Sequence, residues 1–251
     1  MRAPLAPSHA RAAAGLVVIP SGRTRSNHAE VARSLGTAII AGRYAAGAKL
    51  PGDGELLAAF RVSRPVLRES VKTLVAKGLL TTKARVGTVV RDRAAWNMFD
   101  ADVLAWHLEA GIDRSFLRDL AEIRLAVEPA AAALAAERRT ADDLAALEAG
   151  LARMRAEPSD SDGFAEGDLA LHVAIAVASG NPFMRSIGGV IEVALRASFQ
   201  LSAPVATAER ETTLAAHAAI VAAIAARDPA GAAEAVRHVI HNGLRRHGAA
   251  A

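Results

Sequence analysis

From Gly111 to Arg246 apolar residues recur at helical spacing, and alanine dominates them. Alanine is the best helix former, and its small side chain lets helices approach closely, so this stretch is committed to helix packed on helix. Phe116, Leu120, Ile123 and Val127 form one stripe, which Glu128-Pro129 is expected to stop. Thr140 and Asp143 read as a capping box ahead of Leu144, Leu147, Leu151 and Met154. Glu157 to Gly163 reads as a loop and residues 164–179 as a helix. Asn181-Pro182 opens another, carrying Ile187, Val190, Ile191, Ala194 and Leu195. Helices follow at 209–226 and from Asp228-Pro229 to Arg246. The expectation is an all-α antiparallel bundle of six or seven members.

The preceding residues have a different rhythm. Residues 27–42 form an amphipathic helix with Asn27 as its cap, and Leu50 to Asp53 make a turn. Asp53 is placed to cap a short helix through Phe60. Ser63 is placed to cap the next, whose buried stripe is Val66, Leu67, Val71, Leu74 and Val75, and Gly78 ends it. Two β-prone runs, Leu79 to Thr82 and Thr88 to Val90, flank Lys83-Ala84-Arg85-Val86-Gly87, a hairpin with a basic tip. Helix, helix, turn, helix, hairpin is a winged helix-turn-helix, so the fold class is mainly α: this module followed by the bundle.

Charge divides along the same line. Residues 1–99 hold 16 Lys+Arg against 5 Asp+Glu, while residues 100–251 hold 14 against 21. A cationic front joined to an anionic remainder suits a polyanionic partner at one end only. No apolar run reaches the roughly 18–20 residues that span a bilayer, which argues against a membrane partner. The absence of cysteine removes disulfides and thiolate metal sites, and a cytoplasmic location is expected. Residues 1–26 read as a disordered basic arm, 27–92 as the winged module, 93–113 as a linking and docking segment, and 114–247 as the helical domain.

Chemistry concentrates in few residues. Asp168 and His172 are four apart, so they share a helix face with Leu171 and Ile175, which should point inward. A carboxylate and an imidazole on a buried face need partners. His217 also sits within an apolar stripe. If the three converge, oxygen and imidazole donors suit one divalent metal such as Zn, Mn or Ni. The plainer alternative is a satisfied Asp–His hydrogen bond beside a core histidine.

Leu50-Pro51, Glu55-Leu56, Val62-Ser63-Arg64, Val66-Leu67-Arg68-Glu69, Leu74, Gly78-Leu79 and Arg85-x-Gly87-Thr88-x-Val90 resemble the signature of GntR-family winged helix-turn-helix domains. Glu122-x-Arg124, Val127-Glu128-Pro129, Ala135-Ala136-Glu137-Arg138, Asp168-x-x-x-His172, Asn181-Pro182, and His217 followed by Asp228 resemble the FCD effector domain of the FadR subgroup. Trp96-Asn97 and Asp100-x-Asp102-Val103-Leu104-x-Trp106 narrow the likeness to regulators of sugar-acid catabolism. The resemblance implies a homodimeric transcription regulator, a repressor by expectation. Ser63, Arg64, Val66, Arg68, Arg85 and Gly87 would meet double-stranded operator DNA. Arg124, Asp168, His172 and His217 would bind a small carboxylate effector, with sugar acids leading, and the last three would hold the metal. For Arg124 an ion pair with Glu128, one turn on, has equal standing.

The chain departs from the pattern at two points. Gly54 stands where many relatives carry arginine, and the fourth metal-binding histidine would fall at Val239, flanked by His238 and His241 on other helix faces. A second function class, a metal-dependent enzyme acting on small acids through Asp168, His172 and His217, lacks a placed acid or base and a Gly-rich phosphate loop.

Overall fold

The computed structural model describes residues 28–157, 162–201 and 207–246. The basic arm read at 1–26 lies outside the described residues. The chain divides into two compact units, the first ending at Asn97 and the second beginning at Met98. No helix among the described residues is long and apolar enough to cross a membrane.

The first unit comprises α1 (His28–Ile40), α2 (Asp53–Phe60), α3 (Arg64–Ala76), β1 (Leu80–Lys83) and β2 (Gly87–Val90). Val31, Leu35 and Ile39 of α1 and Leu67 and Leu74 of α3 are buried, joined by Leu56, Leu79 and Val90. Val66, Val71 and Val75, read as part of that stripe, are only half-buried, and Ser70 takes the central place. Its hydroxyl lies 2.8 and 2.9 Å from the carbonyls of Val66 and His28, which satisfies it in a dry setting. β1 and β2 pair antiparallel, Leu80 opposite Val90 and Lys83 opposite Gly87, and Lys49 bridges to Val89 along the free edge. Two expected caps differ. Gly52, not Asp53, is the N-cap of α2, and Ser63 caps α3 without a side-chain hydrogen bond.

Gly78 ends α3 at φ +83°, and a Cβ there would sit 2.2 Å from the Ala95 carbonyl oxygen. Left-handed backbone and a backbone clash act together. Gly78→Ala should cost at least about 1–3 kcal/mol, read as a Tm lower by roughly 4–8 °C per kcal/mol for a unit of this size.

The second unit holds eight helices among the described residues: α4 (Ala101–Ala110), α5 (Arg114–Arg138), α6 (Ala141–Ala156), α7 (Asp162–Ala178), α8 (Pro182–Ser186), α9 (Gly188–Leu201), α10 (Thr207–Ala225) and α11 (Pro229–Arg246). One extra helix, α4, forms inside residues 93–113. Asp100 caps it by accepting the Asp102 and Val103 N–H groups, and Val103, Leu104 and Trp106 are buried. Another arises because the segment opened by Asn181-Pro182 breaks at Ile187 into α8 and α9.

Helix α5 runs straight through Pro129, contrary to the expected stop. Pro129 forfeits one hydrogen bond, to the Leu125 carbonyl, and in isolation would cost about 3 kcal/mol or more. Beyond it Ala131, Ala132, Ala135 and Ala136 are all buried against neighbouring helices, and that packing holds the helix together. Phe116 and Leu120 of the expected stripe are buried, but further along the buried face departs from it. Leu117, Ala121, Arg124 and Glu128 face inward, whereas Ile123 is 37% exposed. Between α6 and α7, Gly150 and Gly167 let two backbones touch: a Cβ on Gly167 would lie 2.9 Å from the Met154 backbone nitrogen. This close approach seats α7, and hence Asp168 and His172, deep in the bundle.

Candidate DNA-reading face and buried ligand site

Ser63, Arg64 and Arg68 stand exposed at the start of α3. The two arginines are four apart, so they project from one face, opposite buried Leu67 and Leu74. Among the described residues neither guanidinium is held in a side-chain pair, whereas nearby Lys72 pairs with Glu69 at 2.8 Å. Val66 is half-buried and lies between them. At the hairpin tip Arg85 is exposed at φ +62°, and Gly87, at φ +108°, packs so closely on Lys49 that a Cβ would meet its Cε at 2.8 Å. The face therefore presents two uncommitted cations and an open helix N-terminus, with a third cation at the wing. Groups of this kind can contact phosphates and base edges.

In the second unit Asp168 and His172 on α7 and His217 on α10 are 7%, 2% and 2% exposed. Their donor atoms all lie within 4.8 Å of one another. His217 Nε2 is 2.8 Å and His172 Nε2 3.4 Å from the same oxygen, Asp168 Oδ1. These three atoms, and His172 Nδ1, are buried at contact distance from their partners without an aligned hydrogen bond. The imidazoles meet edge to face, with centroids 5.6 Å apart. His217 Nδ1 lies 2.7 Å from the Thr213 carbonyl. A carbonyl only accepts, so Nδ1 carries the proton and a neutral ring keeps its Nε2 lone pair for the site. One carboxylate oxygen and two imidazole nitrogens converging in a buried place are a donor set that a divalent cation can use.

The fourth position stays as the sequence left it. Val239 packs against the core, and His238 and His241 are exposed. Three ligands would leave a coordination place for water or for an oxygen of a bound acid.

Sequence reasoning named Glu128 as a partner for Arg124 but missed its contact with His172. Glu128 is 3% exposed, and its Oε2 lies 2.7 Å from His172 Nδ1. Arg124 donates to the same carboxylate, Nε to Oε1 at 2.5 Å and Nη2 to Oε2 at 3.3 Å. Of the two readings of Arg124, the ion pair with Glu128 is therefore present. Arg124 also supplies the charged wall of a small cavity of about 30 Å³, shaped by Leu117, Ala121, Ala194, Ile240 and Leu244.

Burial works against charge on Glu128, but Arg124 and His172 outweigh it and hold the carboxyl down at about 2. Burial likewise opposes charge on His172, and the Glu128 and Asp168 carboxylates raise it to about 9. Asp168 lies well below the usual carboxylate range, burial again being outweighed, here by His217 and His172. The depressed Glu128 contributes stability present above its unfolded value of 4.5 and lost as pH falls through about 2. The raised His172 contributes stability present below 6.5 and lost as pH rises through about 9. Chelator-treated protein should thus show its highest Tm between these limits and decline on both sides in a pH series of thermal melts.

Residues 27–90 match the bacterial regulatory proteins of the gntR family, and residues 119–242 match the FCD domain. The chain is 36% identical over 213 residues to the galactonate operon transcriptional repressor of Escherichia coli (strain K12), covering 85% of this chain and 93% of that protein. It is 33% identical over 214 residues to the HTH-type transcriptional regulator YieP of the same organism, covering 84% and 91%. The solved structure of Lar, which controls the Listeria monocytogenes agr system, superposes with a TM-score of 0.64 at 18% identity, covering 92% of this chain and all of that one, and supports the fold. These families comprise transcription regulators and not enzymes, so the metal-dependent enzyme reading is set aside. The chain belongs to the GntR family of DNA-binding transcription regulators, in the group that carries an FCD domain.

Proposed function

We propose that this regulator is a cytoplasmic repressor that grips operator DNA as a homodimer and is controlled by a small carboxylate, a sugar acid, taken up in its helical domain beside a divalent metal. Residues 27–92 carry the DNA contact, through Ser63, Arg64, Val66, Arg68, Arg85 and Gly87, and residues 114–247 carry effector binding and dimerisation. One reading helix recognises too few bases alone, and a two-fold protein matches a palindromic operator. Asp168, His172 and His217 would hold Zn, Mn or Ni, whose chemistry would be to draw in an oxygen of the acid. Arg124 would meet the carboxylate.

The observation that carries this reading is the buried convergence of Asp168 Oδ1, His172 Nε2 and His217 Nε2. Likeness to the galactonate operon repressor puts aldonates first among acids to test. The experiment combines elemental analysis of the purified protein, a thermal-shift screen of sugar acids and hydroxy acids with and without Zn²⁺ or Mn²⁺, and DNA-binding anisotropy with each hit. Effector binding should raise Tm and lower affinity for the promoter fragment. Absence of both metal uptake and stabilisation by any acid would sink the proposal.

A further inference from the structure

We propose that Glu128 is the positioning residue for His172, fixing the imidazole through Nδ1 so that Nε2 faces Asp168 and His217. This inference rests on the metal-site reading above and deepens it. Glu128 and His172 come from different helices, α5 and α7, and meet at 2.7 Å with side chains 4% and 1% exposed. A nitrogen lone pair that close to a carboxylate oxygen, with no water to screen it, would be strongly repelled, so Nδ1 must carry a proton. An incoming cation displaces the Nε2 proton, and the ring, still protonated at Nδ1, offers its lone pair at Nε2 alone.

His217 is built the same way, with the Thr213 carbonyl 2.7 Å from its Nδ1. Both rings are thus turned to place Nε2 beside Asp168 Oδ1, one by a backbone acceptor and one by a carboxylate. The carboxylate is itself held. Arg124, one turn before it on α5, donates from both Nε and Nη2, so Glu128 cannot swing away without breaking a buried ion pair. An outer carboxylate that orients a ligand histidine raises the basicity of that ligand and narrows its geometry. Arg124 to Glu128 to His172 is therefore a chain of supports ending at the proposed metal position.

The test compares wild-type protein with Glu128→Gln, both full-length and stripped with chelator, by competing for Zn²⁺ against a chromophoric chelator. Glutamine keeps the shape and removes the charge. Zn²⁺ affinity should fall about 10- to 100-fold, with far-UV circular dichroism and thermal melts of both stripped proteins showing that each is folded. A second readout follows the His172 ring protons by NMR, assigned through His172→Gln. Wild-type protein should show a slowly exchanging Nδ1–H that is lost or shifted in Glu128→Gln. Equal Zn²⁺ affinity in the two proteins, or no protected Nδ1–H in wild type, overturns the proposal. If wild type takes up no Zn²⁺, the metal reading has failed, and the ring-proton signal still decides whether Glu128 holds His172. If Glu128→Gln does not fold, the wild-type signal alone decides.

Discussion

Replacing Arg64 and Arg68 together with alanine is expected to weaken promoter binding by about 10²- to 10⁴-fold while leaving Tm unchanged. Each arginine that bonds a base edge or clamps a phosphate contributes about 1–3 kcal/mol. The two act from one face of α3, so losing both empties the part of the helix that enters the groove. Stability should not follow. Both side chains are exposed and unpaired among the described residues, and the packing of α3 rests on Leu67, Ser70 and Leu74 from the other side. Surface changes of that kind usually fall within about 0.5 kcal/mol. The salt dependence separates the roles. Removing a phosphate contact lowers the slope of log affinity against log salt by about one and weakens all sequences alike, whereas removing a base contact relaxes preference at one position. Fluorescence anisotropy on the chain's own promoter region and on an unrelated duplex, at three salt concentrations, reads both. Wild-type affinity and slope in the double variant would show that α3 is not the reading helix.

The two kinds of site were legible to different degrees. The reading helix is local: Ser63, Arg64 and Arg68 sit within one and a half turns, and the apolar stripe behind them fixes which side is free. The capping box at Thr140 and Asp143 was equally readable, because both halves lie three residues apart. Half of the buried site was local too, since Asp168 and His172 are four apart on α7. That His217 joins them depends on how α10 packs, which no spacing records. The contact of Glu128 with His172 was hidden for a stronger reason. Next to Pro129, Glu128 reads as the end of a helix, and the local rule is correct about the cost of proline. What the rule omits is the buried alanine face after Pro129, which carries α5 onward and turns Glu128 inward. Ile123 failed with it, while Phe116 and Leu120 of the same stripe are buried: an alanine-rich helix has no single apolar stripe, so a turn of the buried face partway along leaves little trace in the sequence.

Arg124→Ala is expected to be among the most damaging single changes in the second unit, at about 3–5 kcal/mol. With 2–4 °C lost per kcal/mol in a unit of this size, Tm should fall by on the order of 10 °C. The loss does not measure the worth of the ion pair. It measures the cost of leaving Glu128 charged in a dry interior, with His172 as its remaining cation. The double variant Arg124→Met, Glu128→Leu separates the two. It removes both charges and keeps most of the volume, and such replacements are commonly neutral or stabilising. Its Tm should recover most of what Arg124→Ala loses. If lost packing and not uncompensated charge caused the fall, Arg124→Met alone would recover as much as the double variant. That result would overturn the electrostatic account of this pair. The recovered protein should still bind Zn²⁺ more weakly than wild type and fail to respond to a carboxylate effector, because it lacks both the support under His172 and the guanidinium in the cavity wall. The ion pair would then owe its place in the bundle to the ligand site it serves, with stability preserved in the variant and ligand response lost from it.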